Sequence, residues 1–336
     1  MPPLHRDSSR IVIAGASSLL GVELKSLLEE SRLADREIRL LDEDIAAGTL
    51  TEAGGEAAVI QPVEEGSFDR AQFVFFTGSP DFAKANLDAA LHTAARVIDL
   101  SSATLADPGP ARAVAWFKKL DGLLGREFPK DEKLFAIPSA AATAASALAL
   151  ALSKMTLHRL VVVHFRSVSE AGRAGIEELE SQTGQLLSFQ GVGQPVFDAQ
   201  VAFNMLDRFG TASSENLVNV RDRVRQEVTA CLAGKVALPA MQVLHAPVFY
   251  GAAFTACAEL ESQEAKRISD VCREASFVIS ESGSGPSNVG AAGETSIQLA
   301  MPEVDPSKPG TWWFWGAADN IRLPAATAVK LAEMLS

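Results

Sequence analysis

Arg10-Ile11-Val12-Ile13-Ala14-Gly15-Ala16-Ser17-Ser18-Leu19-Leu20-Gly21 is the stretch that decides the fold. A short apolar run ends at a glycine, and Leu24, Leu27 and Leu28 then recur at helical spacing through residues 20–30. A strand that turns at glycine straight into a helix opens a βαβ unit. Such a turn sets backbone N–H groups at a helix N-terminus, where the helix dipole reinforces them, and the pair suits a pyrophosphate. Gly15, Ser17, Ser18 and Gly21 are therefore candidate dinucleotide-binding residues. Ser18 stands in the place of the usual central glycine, and a side chain there is expected to crowd the phosphates. The plainer reading is a tight strand–helix turn without a ligand.

Outward from this turn, a second strand at 38–41 ends at Asp42, about 20 residues after Gly21. A carboxylate there accepts from a ribose 2′-OH and repels a 2′-phosphate, which favours NAD over NADP. A solvated acidic turn is the competing reading, since Glu43 and Asp44 follow. Further strands are expected at 57–60, 73–76 and 96–100, with a helix over 81–95. Strands alternating with helices imply a parallel, doubly wound sheet. After residue 138 the pattern changes. Strands are expected at 160–166, 237–249, 255–261, 295–301 and 312–316, and helices at 175–187 and 262–274, which together make a mixed α+β domain. The Ala-rich run 137–152 reads as a buried helix, 280–293 as a surface loop, and 324–336 as a final helix with Ala328, Leu331 and Ala332 on one face.

A chain of 336 residues suggests two domains. Its composition, 47% hydrophobic and 21% charged, is that of a soluble globular protein, and a net charge of −12 weighs against nucleic-acid and anionic-membrane partners. Cys231, Cys257 and Cys272 have no metal-ligand spacing, and their odd number gives no disulfide framework. No metal is expected, and a reducing, cytoplasmic setting is the simplest reading. Residues 1–10 hold no apolar segment of a signal peptide, and no run is long enough to span a membrane.

Several local motifs, in a shared order, resemble the aspartate-semialdehyde dehydrogenase family. Gly15 to Gly21 resembles its Gly-Ala-Thr-Gly-x-x-Gly loop, and Val97-Ile98-Asp99-Leu100-Ser101-Ser102 its Val-Val-Asp-Asn-Thr-Ser. Phe165-Arg166-Ser167-Val168-Ser169-Glu170-Ala171-Gly172 is similar to Tyr-Gln-Ala-Val-Ser-Gly-Ala-Gly, with Gly175, Glu178, Leu179 and Gln182 following as in that family. Ala202-Phe203-Asn204 and Asp319-Asn320-Ile321-Arg322, then Ala325-Ala326, match two further segments. The resemblance implies a Rossmann-like domain, residues 1–138 closed by 318–336, and an α+β dimerisation domain, 139–317, that forms a homodimer. It also adds Asn320 to the cofactor-binding candidates.

The resemblance further implies reduction of an acyl phosphate to an aldehyde through a thioester. A cysteine attacks, a histidine moves the proton, and an arginine grips the substrate carboxylate. Here the segment resembling Pro-Asn-Cys-x-Thr is Pro138-Ser139-Ala140-Ala141 with Thr143 nearby, so an alanine, either Ala140 or Ala141, stands where the resemblance implies the nucleophile, and no cysteine precedes Cys231. Arg166 stands for the active-site glutamine and His245, in His245-Ala246-Pro247-Val248, for the substrate arginine. Ala252, seven residues on, stands for the histidine, and Leu105 for the phosphate-binding arginine. Arg223 and Glu227 keep the character of the family's lysine and glutamate, while Leu323-Pro324 replaces its Lys-Gly. Loss of nucleophile, base and anion clamp together resembles the Usg-like branch, which lacks the catalytic cysteine. The expectation is a pseudoenzyme that serves as a dinucleotide sensor or a partner protein. The alternative is an oxidoreductase with non-covalent hydride-transfer chemistry. Arg166, His245 and Tyr250 either line a remodelled pocket or pair with nearby carboxylates. Ser139 and Thr143 read as helix caps, His164 as a satisfied strand histidine, and Trp312, Trp313 and Trp315 as sheet and interface packing.

Overall fold

A computed structural model describes residues 10–43, 46, 48–53, 56–105, 112–114, 122, 124–125, 127–261, 264–280 and 285–336. The N-terminal stretch to residue 9, Asp44, residues 262 and 263 of the expected helix and residues 281–284 of the expected loop lie outside them. The chain divides into two compact units, and the second is essentially Pro138–Leu323. The first resumes at Pro324–Ser336. That return comes after residue 318, because Asp319 and Asn320 hydrogen-bond within the second unit.

In the first unit the strands are β1 (Arg10–Ala14), β2 (Ile38–Asp42), β3 (Leu50–Ala53), β4 (Glu56–Val59), β5 (Gln61–Pro62), β6 (Ala71–Phe76), β7 (Arg96–Asp99), β8 (Arg112–Ala113) and β9 (Leu134–Ala136). Seven of them form one parallel sheet in the order β5-β2-β1-β6-β7-β9-β8. Its central strands are buried on both faces, which is why they read as near-continuous apolar runs. Ile11, Ile13, Phe73, Phe75 and Ile98 face helix α1 (Leu19–Glu29) and the C-terminal helix Arg322–Leu335. Val12, Ala14, Val74, Phe76 and Val97 face α2 (Pro80–His92). The strand expected at 57–60 lies off this sheet, in a two-stranded antiparallel pair of β3 and β4. Its Ala57 and Val59 are exposed, so it lacks the two buried faces that a central parallel strand needs.

The second unit carries the mixed sheet expected from sequence. Its helices are α3 (Ala140–Leu152), α4 (Gly172–Leu187), α5 (Leu217–Leu232), α6 (Ala265–Glu274) and the short α7 (Asn288–Ala291); the C-terminal helix is α8. Its strands are β10 (Leu157–Arg166), β11 (Ala240–His245), β12 (Ala252–Leu260), β13 (Phe277–Ser280), β14 (Ile297–Ala300), β15 (Glu303–Val304) and β16 (Thr311–Ala318). The sheet order is β11-β10-β12-β16-β14-β13, with β15 on β16. One face of β10 and β12 packs on α3, and α5 covers β11. Every residue of α3 is buried, which accounts for its alanine content. The strand expected at 237–249 stops at His245, since Pro247 has no N–H for a ladder and pushes Ala246 off it.

Candidate functional site

In the first unit the turn after β1 is built by glycine where backbones touch. Gly15 has φ +97°, and a Cβ on it would lie 2.1 Å from the Gly78 nitrogen; one on Gly21 would lie 2.4 Å from the Gly15 carbonyl oxygen. Ser18 does not crowd the turn. Its side chain folds inward to cap α1, accepting the Gly21 N–H at 2.9 Å and donating to the Thr77 carbonyl at 2.8 Å. The Leu19 and Leu20 amides have no partner among the described residues, α1 has no acid in its first turn, and the Ser17 side chain is exposed. These features fit a pyrophosphate. Asp42 ends β2 beside the turn: one carboxylate oxygen takes the Ser17 N–H at 2.6 Å and the other the Glu43 N–H at 2.9 Å. Glu43 in turn accepts from Ser79 Oγ at 3.1 Å, at the start of α2.

At the end of β7 in the same sheet, the wholly buried Asp99 carboxylate shapes residues 100–105. Oδ1 accepts from Ser101 N–H and Oγ at 2.8 and 2.5 Å, and Oδ2 from Thr104 N–H and Oγ1 at 2.9 and 2.7 Å. Leu105 closes that turn with its N–H on the Ser102 carbonyl and brings no cation.

In the second unit three positions singled out from sequence fall on one register row. His245 pairs with Arg166 across β11 and β10, Arg166 with Ala252 across β10 and β12, and Ala252 with Ala318 across β12 and β16. Cross-strand partners point the same way, and all four are buried on the helix-covered face. Ala140 opens α3 on that side, 2% exposed, with Ala141 7% exposed. Ser139 caps α3: its Oγ accepts the Ala142 N–H at 3.3 Å and donates to Glu227 Oε2 at 2.6 Å, while its N–H reaches the same oxygen at 2.8 Å. Thr143 is buried in the first turn, its N–H on the Ser139 carbonyl.

Arg166, 1% exposed, donates from Nη2 to Glu215 Oε2 at 2.7 Å. Its Nε, 3.5 Å from Glu170 Oε2, is buried without a hydrogen bond. His164 Nε2 lies 3.3 Å from Glu170 Oε1. Burial would raise the Glu170 carboxyl, but the His164 hydrogen bond and the charges of His164, Arg166 and Arg223 hold it below its ordinary value. His245 points its Nε2 at the Val201 carbonyl, 3.3 Å away, and its ring packs against the side of the touching pair Phe197 and Phe209. Burial and the Arg166 charge push this imidazole down against the Val201 contact, so it is neutral near pH 7. Tyr250 lies in the turn beyond β11, 43% exposed, and does not join the row. Asn320 also belongs to this unit; its amide accepts the Gly251 N–H at 2.6 Å and donates to Ser169 Oγ at 3.0 Å.

Glu170 and Glu215, which pair with Arg166, were not among the residues singled out from sequence. Glu170 stood inside a quoted motif, while Glu215 has no local signal at all, since 49 residues separate it from its partner.

Two family models match the chain: "Semialdehyde dehydrogenase, NAD binding domain" over residues 10–146 and "Semialdehyde dehydrogenase, dimerisation domain" over 148–323. A USG-1 protein homolog of Pseudomonas aeruginosa is 28% identical over 334 residues, covering 97% of each chain. An aspartate-semialdehyde dehydrogenase of Rickettsia bellii is 24% identical, again over 97% of each chain. The crystal structure of aspartate semialdehyde dehydrogenase II from Vibrio cholerae superposes with a TM-score of 0.85 at 22% identity, covering 97% of this chain and 98% of that one.

Proposed function

The chain belongs to the semialdehyde dehydrogenase family, and from that premise we propose that it is a dinucleotide-binding homodimer without the phosphorylating aspartate-semialdehyde dehydrogenase reaction, acting as a sensor or partner protein. The observation that carries this reading is Ala140 at the start of α3, where the thiol is due, together with Ala252 in the row where the base is due. A methyl group neither attacks an acyl carbon nor moves a proton. The assay that tests the reading is argued in the Discussion.

Gly15, Ser17, Ser18 and Gly21 would hold the pyrophosphate through the turn and the N-terminus of α1, with Asp42 at the ribose. Asn320, in the second unit, stays a separate cofactor-binding candidate that the resemblance adds. Nicotinamide, when bound, supplies a hydride acceptor. Asp42 and Glu43 set the choice of dinucleotide: a carboxylate about 4 Å from a 2′-phosphate costs roughly 1–4 kcal/mol per charge pair. Titration calorimetry is expected to give tighter binding of NAD than of NADP, and Asp42→Ala to narrow the difference. Tighter NADP binding by the wild type would remove Asp42 from this role.

Self-association follows from the open face of the second sheet. Val161, Val163 and Phe165 on β10, Ala253 and Cys257 on β12, and Trp313 and Trp315 on β16 leave it apolar and partly exposed. A patch of this kind marks an interface. Sedimentation at micromolar concentration is expected to give the dimer mass, and Trp313→Glu with Trp315→Glu to shift it toward monomer. A monomeric wild type would count against the assignment.

A further inference from the structure

In the first unit, β2 bonds to its neighbours through alternate residues. The Ile11 N–H reaches the Glu37 carbonyl at 2.9 Å and the Gly15 N–H the Leu41 carbonyl at 2.8 Å, so residues 37, 39 and 41 turn their main-chain groups to β1. Those of Ile38 and Leu40 face the other edge, where β5 pairs only with Leu41 and Asp42. Toward the N-terminal end of β2 this edge is left open, because the chain ahead of β5 turns away to pair with β3. The gap between β2 and residues 58–61 is a cavity of about 310 Å³.

Two arginines line it, Arg10 from the start of β1 and Arg39 from β2. Arg39 donates from Nε to Gln61 Oε1 and from Nη1 to the Ser67 carbonyl, both at 3.1 Å, and its Nη2 has no partner among the described residues. The Gln61 carbonyl oxygen is spent on that bond, which leaves Gln61 Nε2 as a donor without a partner among them. Arg10 Nη2 meets Glu37 Oε1 at 2.8 Å, while its Nε is buried without an acceptor. Glu37 is half exposed, and an ion pair open to water neutralises little. The cavity therefore gathers two cations and one anion in a chain of net charge −12. It lies at the opposite end of β1 and β2 from the glycine turn and Asp42, roughly 13 Å away at about 3.3 Å per residue.

We propose that this cavity binds the phosphoryl group of a small organic phosphate, at a site separate from the dinucleotide turn. Guanidinium groups match oxyanions, and a phosphate monoester brings three terminal oxygens to the donors of Arg10, Arg39 and Gln61. A carboxylate is satisfied by one fork alone. Ala58 and Val59 line the remainder with methyl groups, so the organic part meets no competing charge. The volume is at the lower end of ligand sites, which limits that part to a few carbon atoms.

The full-length protein is tested with glycerol 3-phosphate as the probe and with inorganic phosphate and glycerol as the other arms. Wild type is expected to gain melting temperature with rising glycerol 3-phosphate, by mass action on the folded state. Inorganic phosphate is expected to act more weakly, and glycerol not at all. Arg39→Gln removes one set of donors, and Val59→Glu sets a carboxylate against the phosphoryl group. Each is expected to weaken binding at least tenfold by calorimetry. Val59 is 47% exposed, so its variant keeps the fold and decides the matter if Arg39→Gln does not fold. Saturating NAD is expected to leave the affinity for glycerol 3-phosphate unchanged. No response of wild type overturns the proposal, and so does an affinity that Val59→Glu leaves intact. Competition by NAD would place the phosphate at the glycine turn and overturn it as well. A response to inorganic phosphate or glycerol equal to that to glycerol 3-phosphate overturns the organic-phosphate assignment. Failure of NAD to bind would instead strike the dinucleotide reading and leave the glycerol 3-phosphate comparison standing.

Discussion

Wild-type protein is expected to form no NADH or NADPH above background from aspartate semialdehyde, with phosphate or with arsenate as acceptor, and Ala140→Cys and Ala141→Cys are expected to stay at that level. Removing a nucleophile alone costs roughly 10⁶ in kcat in a covalent mechanism. A thiol placed at the start of α3 would gain acidity from the helix N-terminus and react with alkylating agents. It would still lack a proton carrier, because Ala252 occupies the place in the row where the base is due. The carboxylate fork is missing too: His245 is buried, neutral and directed at the Val201 carbonyl. Leu105 gives the phosphate no cation, and Arg166 is held by Glu215. Groups that act as a unit are not additive, so one restored member recovers little. Turnover by the wild type would sink the non-catalytic reading, and turnover by either cysteine variant would show that the rest of the machinery survives elsewhere.

The first unit was legible because its signals are local. Alternating apolar runs, glycines at the strand–helix turn and Ala/Leu periodicity each act within a dozen residues. The role of Ser18 was harder to foresee. Crowding was the natural expectation for a side chain in a glycine's place, but the serine adopts an extended N-cap conformation and bonds inward to Gly21 and Thr77. The strand at 57–60 was foreseen but not its place off the main sheet, because short apolar runs look alike whether central or peripheral, and its partner β3, Leu50-Thr51-Glu52-Ala53, is half polar and gave no strand signal. Helix α5 was also missed: Leu217, Val220, Val224, Val228 and Cys231 keep helical spacing behind the Asn216 cap, but arginines and acids between them masked it.

In the second unit the family-like residues turn out to be framework. Gln182, fully buried, donates to Glu178 and to the Gly193 and Ala199 carbonyls and accepts the Val201 and Ala202 amides, so it fixes the loop after α4. Gly175 lies where a Cβ would come within 2.4 Å of the Val168 carbonyl oxygen. Residues that hold the backbone match the family's motifs, whereas Ala140, His245 and Ala252, on the proposed reading, stand where the resemblance implies nucleophile, carboxylate clamp and base. The Arg166–Glu215 pair was invisible because it joins a strand to a distant loop through side chains alone.

Asp99→Ala is expected to destabilise the protein by about 2–6 kcal/mol, from two buried backbone amides left unsatisfied at about 1–3 kcal/mol each. The carboxylate is wholly buried and accepts from four donors, two of them backbone N–H groups at Ser101 and Thr104. An alanine leaves all four without their acceptor, and each buried group left unsatisfied costs about 1–3 kcal/mol. Hydroxyls can turn toward other acceptors, but the two amides cannot, because Ser102 at φ +67° fixes the turn between them. Asp99→Asn keeps the shape and still fails in part, since its amide nitrogen meets donors where the carboxylate met them as an acceptor. Thr104→Ala removes one hydroxyl and is expected to cost only about 1 kcal/mol, while Ser101→Ala also strips the Ala103 N–H of its acceptor and is expected to cost about 1–2 kcal/mol. Urea unfolding of the four variants measures the series. An Asp99→Ala loss no larger than that of Thr104→Ala would mean that the turn holds without its carboxylate. The expected order, with Asp99→Ala far below the two hydroxyl variants, would make the Asp99 side chain the structural reason that Leu100 to Leu105 keeps its shape at the end of β7.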